Sequence, residues 1–455
     1  MLYDFIIADK NVKKPLYQQI YLSVRKAIEN GSLKVGSKLP SIRKLSADMD
    51  ISKTTVTTAY EQLCVEGYII NKPQSGYYVA ADFEHIKKAA DSMEQTVHTG
   101  RYYEFDFSGK SIDNQIIDIA QWKKNIRDVI NRNYLMTSYG DAQGEPALRM
   151  ALQKYALGIR SVNAHTGNIV VGAGTQSILL LLCALLGAGK RVAMERSSFI
   201  QAEFVFKSFG NEIAYFDCDA YGVKINSLKE ISPDIVVINP NFSGKRGTNM
   251  PINRRLELID WARRHNALII EDDYNGELRY STRPIPCVQN YDTENTVYIG
   301  SFSKVLLPSV RISYMVLPDK LLQQYHHIKR LTNQTASKTE QLALAKYIDN
   351  GKIDAHLRRA RRIYLEKSKQ MLKSVKRNFA QSDIVFNETS LYVKIIPDFQ
   401  FDREKLEQAL DNSSVNIMSY GKDENAVTLS FSGIEQNKID EGIALVKRCV
   451  EAART

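Results

Sequence analysis

The chain has 455 residues, of which 44% are hydrophobic. This length and composition predict two or three folded domains and exclude an intrinsically disordered protein. The formal net charge of +10 is compatible with a polyanionic partner but does not identify one.

Several absences narrow the class of protein further. Asp4 and Asp9 give an acidic N-terminus, unlike a signal peptide. The longest apolar run, 178–188, is too short to span a bilayer and predicts a buried helix. The five cysteines are scattered and have neither metal-binding nor redox spacing. We therefore expect a cytoplasmic protein with no membrane segment and no metal site.

Residues 15–79 have the pattern of a small, self-contained unit. The predicted elements are an amphipathic helix over 16–28, a short helix over 41–49, a helix from residue 52, a strand over 67–70, a turn over 72–76 and a strand over 77–79. Ser41 and Ser52 are suitable N-caps for the second and third helices. This order is typical of a winged helix-turn-helix.

The third helix has a polar face of short hydroxyl side chains and one lysine. Such residues reach base edges and phosphates in a major groove, and the hairpin tip would contact the DNA backbone. A solvated helix face is the alternative, although threonine is only a middling helix former, so the threonine-rich face needs a reason. The candidate DNA-binding residues are Lys53, Thr54, Thr55, Thr57, Lys72 and Gly76.

The segment resembles the GntR-type DNA-binding domain. The matching stretches are 15–20, 39–45, 52–56, 59–60, 63, 66–68 and 76–79. The resemblance implies that Ser41, Arg43, the start of the recognition helix at Ser52 and the wing contact double-stranded operator DNA.

The rest of the chain predicts a linker and a large α/β domain. Residues 81–104 are polar with few apolar anchors, whereas strand-like and helical patterns alternate from residue 105. The strand-like runs are 169–171, 191–194, 213–216, 235–238, 267–270 and 296–299. The predicted organisation is a winged helix-turn-helix domain (1–80), a linker (81–104), a large α/β domain with a mostly parallel sheet (105–320), and a C-terminal helical region with a small α+β domain (321–455).

The stretch 300–311 is the strongest chemical motif. Lys304 follows Ser301 by three residues and precedes Arg311 by seven. Lysine forms a Schiff base with an aldehyde, while serine and arginine bind a phosphate. A basic surface loop is the alternative for the lysine alone. The whole set predicts a site for pyridoxal 5'-phosphate (PLP).

Upstream motifs support the same cofactor. The glycine-rich turn 172–177 before a helix forms an anion cradle, because free backbone N–H groups and the helix dipole favour phosphate. Asp272 can pair with a protonated pyridine nitrogen, and Tyr274 can donate to a phenolic oxygen. Phe199 can stack on the ring, and Tyr139 can reach a phosphate in a neighbouring subunit. Without Lys304, a helix cap and a core tyrosine would be the better interpretation of Asp272 and Tyr274, and a lone phenylalanine is more often a core residue.

In this order the motifs resemble the fold-type I aminotransferases. With the winged head, the chain from 15 to about 450 resembles the MocR-type transcriptional regulators, a branch of the GntR family. The resemblance implies that Lys304 carries PLP as an internal aldimine and that such regulators form head-to-tail, domain-swapped homodimers. It implies that Asp272 pairs with the ring nitrogen, that Tyr274 contacts the phenolic oxygen, and that Thr175, Gln176, Ser301, Ser303 and Arg311 lie around the phosphate. Phe199, Tyr139 and Asn241 are further candidate cofactor-binding residues.

Two departures from the family pattern bear on function. Thr428 stands where aminotransferases usually carry the arginine that binds a substrate carboxylate, and Gln201 stands at a second basic position. Each lost charged hydrogen bond costs about 1.5–3 kcal/mol. The loop 239–247 also departs from the usual Asn-Pro-Thr-Gly, with Lys245 and Arg246 either binding an anion or facing solvent.

The sequence therefore favours a PLP-binding transcriptional regulator, with no catalytic residue assigned, that responds to PLP itself and controls vitamin B6 synthesis. Three alternatives remain open. They are a regulator that senses an amino compound by external aldimine formation, an active aminotransferase with an accessory DNA-binding head, and a DNA-binding protein whose large domain is only a dimerisation scaffold.

Overall fold

The computed structural model describes residue 6 and residues 13–81, 102–196, 199–242, 249–280, 285–386, 389–420 and 425–455. The chain divides into two compact units, Met1–Arg101 and Tyr102–Thr455. Most of the predicted linker, 81–104, lies outside the described residues, as do Lys245 and Arg246. Within the described ranges, no helix has the length and hydrophobicity needed to cross a membrane.

The described residues of the first unit form three helices and a β-hairpin. They are α1 (Leu16–Glu29), α2 (Ile42–Asp48), α3 (Lys53–Val65), β1 (Ile69–Lys72) and β2 (Gly76–Val79). Ser41 and Ser52 begin α2 and α3, because each side-chain oxygen accepts a backbone N–H three residues later, at 3.2 and 3.1 Å. The hairpin is antiparallel, with Ile69 opposite Val79.

The core of this unit lies between the helices and the hairpin. Ile20, Val24, Leu45, Val56 and Leu63 are all fully buried. Burying each such side chain stabilises the fold by about 1.5–3 kcal/mol. Ala59 and Tyr60 of α3 are buried with Val56 and Leu63, so the opposite face of this helix stays at the surface.

The second unit begins with an alternation of strands and helices. Its elements up to the last strand of the large sheet are β3 (Phe105–Phe107), α4 (Ile119–Ile130), α5 (Asn133–Met136), α6 (Pro146–Arg160), β4 (Ile169–Gly172), α7 (Thr175–Leu186), β5 (Arg191–Met194), α8 (Ile200–Ser208), β6 (Glu212–Tyr215), β7 (Cys218–Asp219), β8 (Gly222–Val223), α9 (Ile225–Ile231), β9 (Ile235–Ile238), α10 (Ile252–His265), β10 (Leu268–Asp273), β11 (Thr296–Ser301) and β12 (Ser313–Val316).

Seven of these strands form one central sheet in the order β4-β12-β11-β10-β9-β5-β6. All neighbours are parallel except β12, which runs antiparallel to both β11 and β4. Strands β4, β9 and β10 are buried along their whole length, as expected for a sheet covered on both faces. The predicted α/β fold with a mostly parallel sheet is confirmed.

The remainder of the unit is a helical region and a small second sheet. Its elements are α11 (Asp319–Lys329), α12 (Lys338–Asp349), α13 (Lys352–Asn378), β13 (Asp383–Phe386), β14 (Tyr392–Ile396), α14 (Arg403–Asn412), β15 (Val415–Ile417), β16 (Ser419–Tyr420), β17 (Val427–Ser430) and α15 (Ile439–Ala452). The small sheet has the order β13-β14-β17-β16, and β15 pairs in parallel with β3. Strand β3, at the start of the second unit, is thus hydrogen-bonded to β15 in its C-terminal part.

Candidate functional site

Lys304 lies just beyond β11, at the edge where the parallel strands end and where α/β sheets bind ligands. Its Nζ donates a hydrogen bond to the backbone carbonyl oxygen of Gly109 at 2.8 Å. Burial lowers the pKa of the Lys304 ammonium. A lower pKa raises the fraction of neutral amine, which is the form that attacks an aldehyde.

The guanidinium of Arg311 lies against the N-terminus of α7. Gly174, the residue that precedes this helix, has φ of +85° and a β-carbon there would lie 2.5 Å from Nη2 of Arg311. Arg311 itself has a positive φ of 50°, a backbone state that non-glycine residues adopt at some cost. Free backbone N–H groups and a guanidinium at one point make a site for a phosphate.

Hydroxyl groups line the same corner of the sheet. Ser313 Oγ donates to Ser301 Oγ at 2.9 Å and lies 3.4 Å from Thr175 Oγ1. Arg311 Nη1 donates to Ser303 Oγ at 3.5 Å. The structure therefore brings together four predicted phosphate-binding residues and adds Ser313, which was not predicted. The only signal for Ser313 in the sequence is its position two residues after Arg311.

Asp272 lies near the end of β10 and is 4% exposed. Its Oδ1 has no hydrogen-bond partner among the described residues. Burial, followed by repulsion from Asp273, raises the pKa of Asp272 to about 8. A buried acceptor without a partner is costly, and a cationic N–H placed against it would supply both the hydrogen bond and the opposite charge. A protonated pyridine nitrogen fits this requirement.

Asp273 has a different environment from its neighbour. It accepts from Arg160 Nε at 2.6 Å, Tyr298 Oη at 2.9 Å and Asn241 Nδ2 at 2.7 Å. The hydrogen bond from Asn241 holds this residue beside Asp273, which directly follows Asp272, the candidate partner of the ring nitrogen. Tyr274, directly after β10, has its pKa raised by burial and then by Asp272.

Three other predicted cofactor residues make no hydrogen bond to these groups among the described residues. Gln176 is exposed on the first turn of α7, and Phe199 precedes α8 and packs against apolar residues of the large domain. Tyr139 is 94% exposed, in keeping with a residue expected to act in a neighbouring subunit. Gln201 is exposed on α8. These roles stay predictions.

The end of β17, the strand that carries Thr428 at the position of the expected arginine, lies beside Lys304. A β-carbon on Gly109 would lie 2.9 Å from Ser430 Cβ and 3.5 Å from Lys304 Nζ. Thr428, two residues before Ser430, lies on the same face of the strand. Across the register Thr428 is opposite Lys394 of β14. The strand thus presents hydroxyl side chains towards the lysine.

In the first unit, the candidate DNA-binding residues lie at the starts of α2 and α3 and at the hairpin tip. Ser41, Arg43, Ser52, Lys53 and Thr54 are exposed. Thr55 and Thr57 are half-buried, and Thr57 Oγ1 donates to the carbonyl oxygen of Lys53 at 2.9 Å.

The hairpin tip combines a charge with a tight turn. Lys72 Nζ lies 4.8 Å from the ring centroid of Tyr78, within the range of a cation–π contact. Gly76 has φ of +105°, a conformation that other residues rarely adopt. The turn therefore holds an exposed lysine at the end of a rigid hairpin.

Comparison with known proteins supports both halves of this description. The family described as bacterial regulatory proteins, gntR family, matches residues 16–79, and the family aminotransferase class I and II matches residues 108–441. Among solved structures, an archaeal alanine:glyoxylate aminotransferase superposes with a TM-score of 0.70 at 22% identity, covering 80% of this chain and 94% of that one. At this identity the likeness shows the fold alone.

Full-length relatives share both domains. The uncharacterized HTH-type transcriptional regulator YdeL of Bacillus subtilis is 34% identical, covering 95% of this chain and 96% of that protein. The probable rhizopine catabolism regulatory protein MocR of Rhizobium meliloti is 26% identical, covering 96% and 94%. The pyridoxine biosynthesis regulator PdxR of Corynebacterium glutamicum is 26% identical over 76% of each chain. The chain therefore belongs to the MocR-type HTH transcriptional regulators of the GntR family, in which a helix-turn-helix domain is joined to a PLP-dependent aminotransferase-like domain.

Proposed function

We propose that this protein binds operator DNA through α2, α3 and the hairpin, and that it holds PLP at Lys304 as the signal that controls DNA binding. The observation that carries the proposal is the convergence at one sheet edge of three groups: the half-buried Lys304, a buried oxygen of Asp272 with no hydrogen-bond partner among the described residues, and the Arg311 guanidinium against the N-terminus of α7. These three features match the aldehyde, the ring nitrogen and the phosphate of the cofactor.

Each group of the site has a separate task in this proposal. Lys304 holds the cofactor covalently, and its lowered pKa supplies the neutral amine for that attachment. Asp272 keeps the ring nitrogen protonated, which satisfies its own unpartnered oxygen. Arg311, Ser301, Ser303 and Thr175 hold the phosphate. When bound, PLP supplies an aldehyde carbon that can be exchanged between amines.

The effector that we propose is PLP itself, with control of vitamin B6 synthesis as the biological role. The hydroxyl face of β17 beside Lys304 supports this proposal, since Thr428 cannot form the two-pronged bond that arginine makes with a carboxylate. Lys394, opposite Thr428, carries a compact ammonium charge and cannot form the bidentate bond of a guanidinium either. The relative named for pyridoxine biosynthesis, PdxR, supports the same role.

The proposed assembly is a cytoplasmic homodimer, domain-swapped and head-to-tail. The exposure of Tyr139 supports a second subunit, because this residue needs a partner's phosphate to fulfil its predicted role. Mixing Tyr139→Phe subunits with Lys304→Ala subunits tests this arrangement. If Tyr139 acts across the interface, each mixed dimer keeps one site with both native residues and regains PLP affinity there, whereas an in-chain role leaves every site defective.

The function is tested by measuring operator binding and absorbance together. We expect the protein to show the visible band of lysine-bound PLP, lost on borohydride reduction, and to change its operator affinity on addition of PLP alone. An affinity change that requires an added amine would support the alternative of an amine sensor. Sustained turnover of an amino acid with a keto acid would support the aminotransferase, and a protein that never gains the band would overturn the PLP proposal.

A further inference from the structure

Gly109 is packed too tightly to carry a side chain. It has φ of +71°, and a β-carbon there would lie 2.9 Å from Ser430 Cβ, 3.0 Å from Ser430 Oγ and 3.5 Å from Lys304 Nζ. Its carbonyl oxygen accepts the hydrogen bond of Lys304 at 2.8 Å. The backbone at Gly109 is therefore in direct contact with the candidate cofactor lysine.

The segment around Gly109, residues 105–113, is fixed to the rest of the unit at further points. Ser432 Oγ donates to the carbonyl oxygen of Ser111 at 2.8 Å. Lys367, fully buried on α13, donates to Asp113 Oδ2 at 2.8 Å. Strand β3 pairs with β15 at the start of the segment. Its bond to Lys304 joins it to the central sheet, while these other contacts join it to C-terminal elements.

The position of this segment in the chain suits a role in signalling. Strand β2 of the DNA-binding unit ends at Val79, and β3 begins at Phe105. Segment 105–113 therefore contains the first strand of the second unit.

We propose that segment 105–113 couples the state of Lys304 to the DNA-binding half of the chain. The inference rests on the proposed function in one respect, namely that the cofactor takes up the lysine nitrogen. Nζ of the neutral amine forms a double bond to the aldehyde carbon, and its two hydrogens leave with the aldehyde oxygen as water. The nitrogen then carries at most one hydrogen, and the direction of that N–H bond is set by the cofactor ring.

The consequence falls on the Gly109 carbonyl. It loses the donor that Lys304 Nζ supplies, and an acceptor left without its partner is unfavourable. Because Ser430 fills the side of Gly109 on which a β-carbon would point, the proposed relief is a movement of residues 105–113 together. Binding at Lys304 is thereby converted into loosening of residues 105–113.

Amide hydrogen exchange on the full-length protein tests this coupling. The reporters are the backbone amides of Phe105, Ser108 and Lys110. The Phe105 amide donates to the carbonyl oxygen of Ser414 at 3.1 Å. The Ser108 amide donates to Asp106 Oδ1 at 3.0 Å, and the Lys110 amide donates to Ser108 Oγ at 3.3 Å. We expect PLP to speed exchange over 105–113 by roughly five-fold or more. Lys304→Met should do so without PLP, because it removes the donor outright, and its operator affinity should match that of PLP-loaded wild-type protein.

Two further variants keep the test sharp. Gly109→Ala, whose methyl group meets Ser430, should also speed exchange without PLP. Gly167→Ala, with open space around its β-carbon, is the matched control and should leave exchange unchanged. The inference is overturned if Lys304→Met and Gly109→Ala both exchange like wild type. The exchange measurements on these variants need no cofactor, so they are separate from the absorbance test, whose failure would count against PLP binding instead.

Discussion

Arg311 occupies the space that a side chain at Gly174 would need. Nη2 of the arginine lies 2.5 Å from the ideal position of a β-carbon on that glycine, and the central guanidinium carbon lies 3.0 Å from it. The helix N-terminus and the charged group are therefore in van der Waals contact. A glycine is required here because of this contact as well as because of its positive φ.

Gly174→Ala should lower the affinity for PLP by at least ten-fold, because the methyl group displaces Arg311 from the phosphate position. The loss of one charged hydrogen bond, about 1.5–3 kcal/mol, corresponds to this range. Titration of the visible band against PLP measures it. Gly187→Ala at the other end of α7 has the same positive φ but nothing within 4 Å. If both variants lose affinity equally, helix strain and not Arg311 is the cause.

Lys304→Ala should abolish the visible absorbance band of bound PLP and make operator affinity insensitive to the cofactor. The physical reason is the loss of the amine that forms the covalent bond. Spectrophotometry and a DNA-binding assay at several PLP concentrations measure the two effects. Lys229→Ala, on α9, removes the same charge and should behave as wild type. A band that persists in Lys304→Ala would place the attachment at another residue.

We compare the stability of Asp272→Asn with that of wild type, both without cofactor. The variant should gain stability relative to wild type when the pH is raised from 5 to 8. The pKa of Asp272 is raised to about 8 in the folded protein, whereas the ordinary pKa of an aspartate is 3.8, so the unfolded chain releases this proton at lower pH. Stability therefore falls as pH rises between these values, by up to about 1.4 kcal/mol per pH unit, and the asparagine removes this dependence.

Thermal unfolding at the two pH values measures this difference. Glu271 and Glu277, whose pKa values burial raises to about 7, contribute a similar dependence in both proteins and cancel in the comparison. A stability difference that is the same at pH 5 and pH 8 would contradict the raised pKa of Asp272.

Lys53→Ala should weaken operator binding and reduce the slope of log K against log salt concentration by about 1, because one phosphate contact is lost. Lys53 is exposed at the first turn of α3. Lys26→Ala, exposed on α1, makes the same charge change in the same unit and serves as the control. Binding isotherms at four or five salt concentrations provide the slopes, and equal slopes for both variants would remove Lys53 from the interface.

The motifs that could be predicted from sequence are those whose chemistry is local. Lys304 and Arg311 stand on one short stretch, and the strand before it is a continuous apolar run, so their meeting at a sheet edge follows from sheet topology. The N-caps Ser41 and Ser52 were predictable for the same reason, since a cap acts within three residues.

The groups that could not be predicted come together through long-range contacts. Gly109 and Ser430 are separated by 321 positions (430 minus 109), and no periodicity in the sequence relates them. The antiparallel direction of β12 could not be predicted either, because the buried strand Ser313–Val316 has the same hydrophobic pattern in a parallel and in an antiparallel pairing. The attachment of Asn241 to Asp273 depends on side-chain orientation within a loop, which composition does not determine.

The antiparallel pairing of β11 with β12 has a consequence for how such a protein can change its function. Ser301 lies opposite Ser313, so the two ends of the loop between them are adjacent in the sheet. This loop carries both Lys304 and Arg311. Two of the proposed cofactor-binding residues are thereby held on one closed loop, while Thr428 stands on β17 of the small sheet. Substitutions on β17 can thus change contact with a second reactant without altering the loop that carries Lys304 and Arg311.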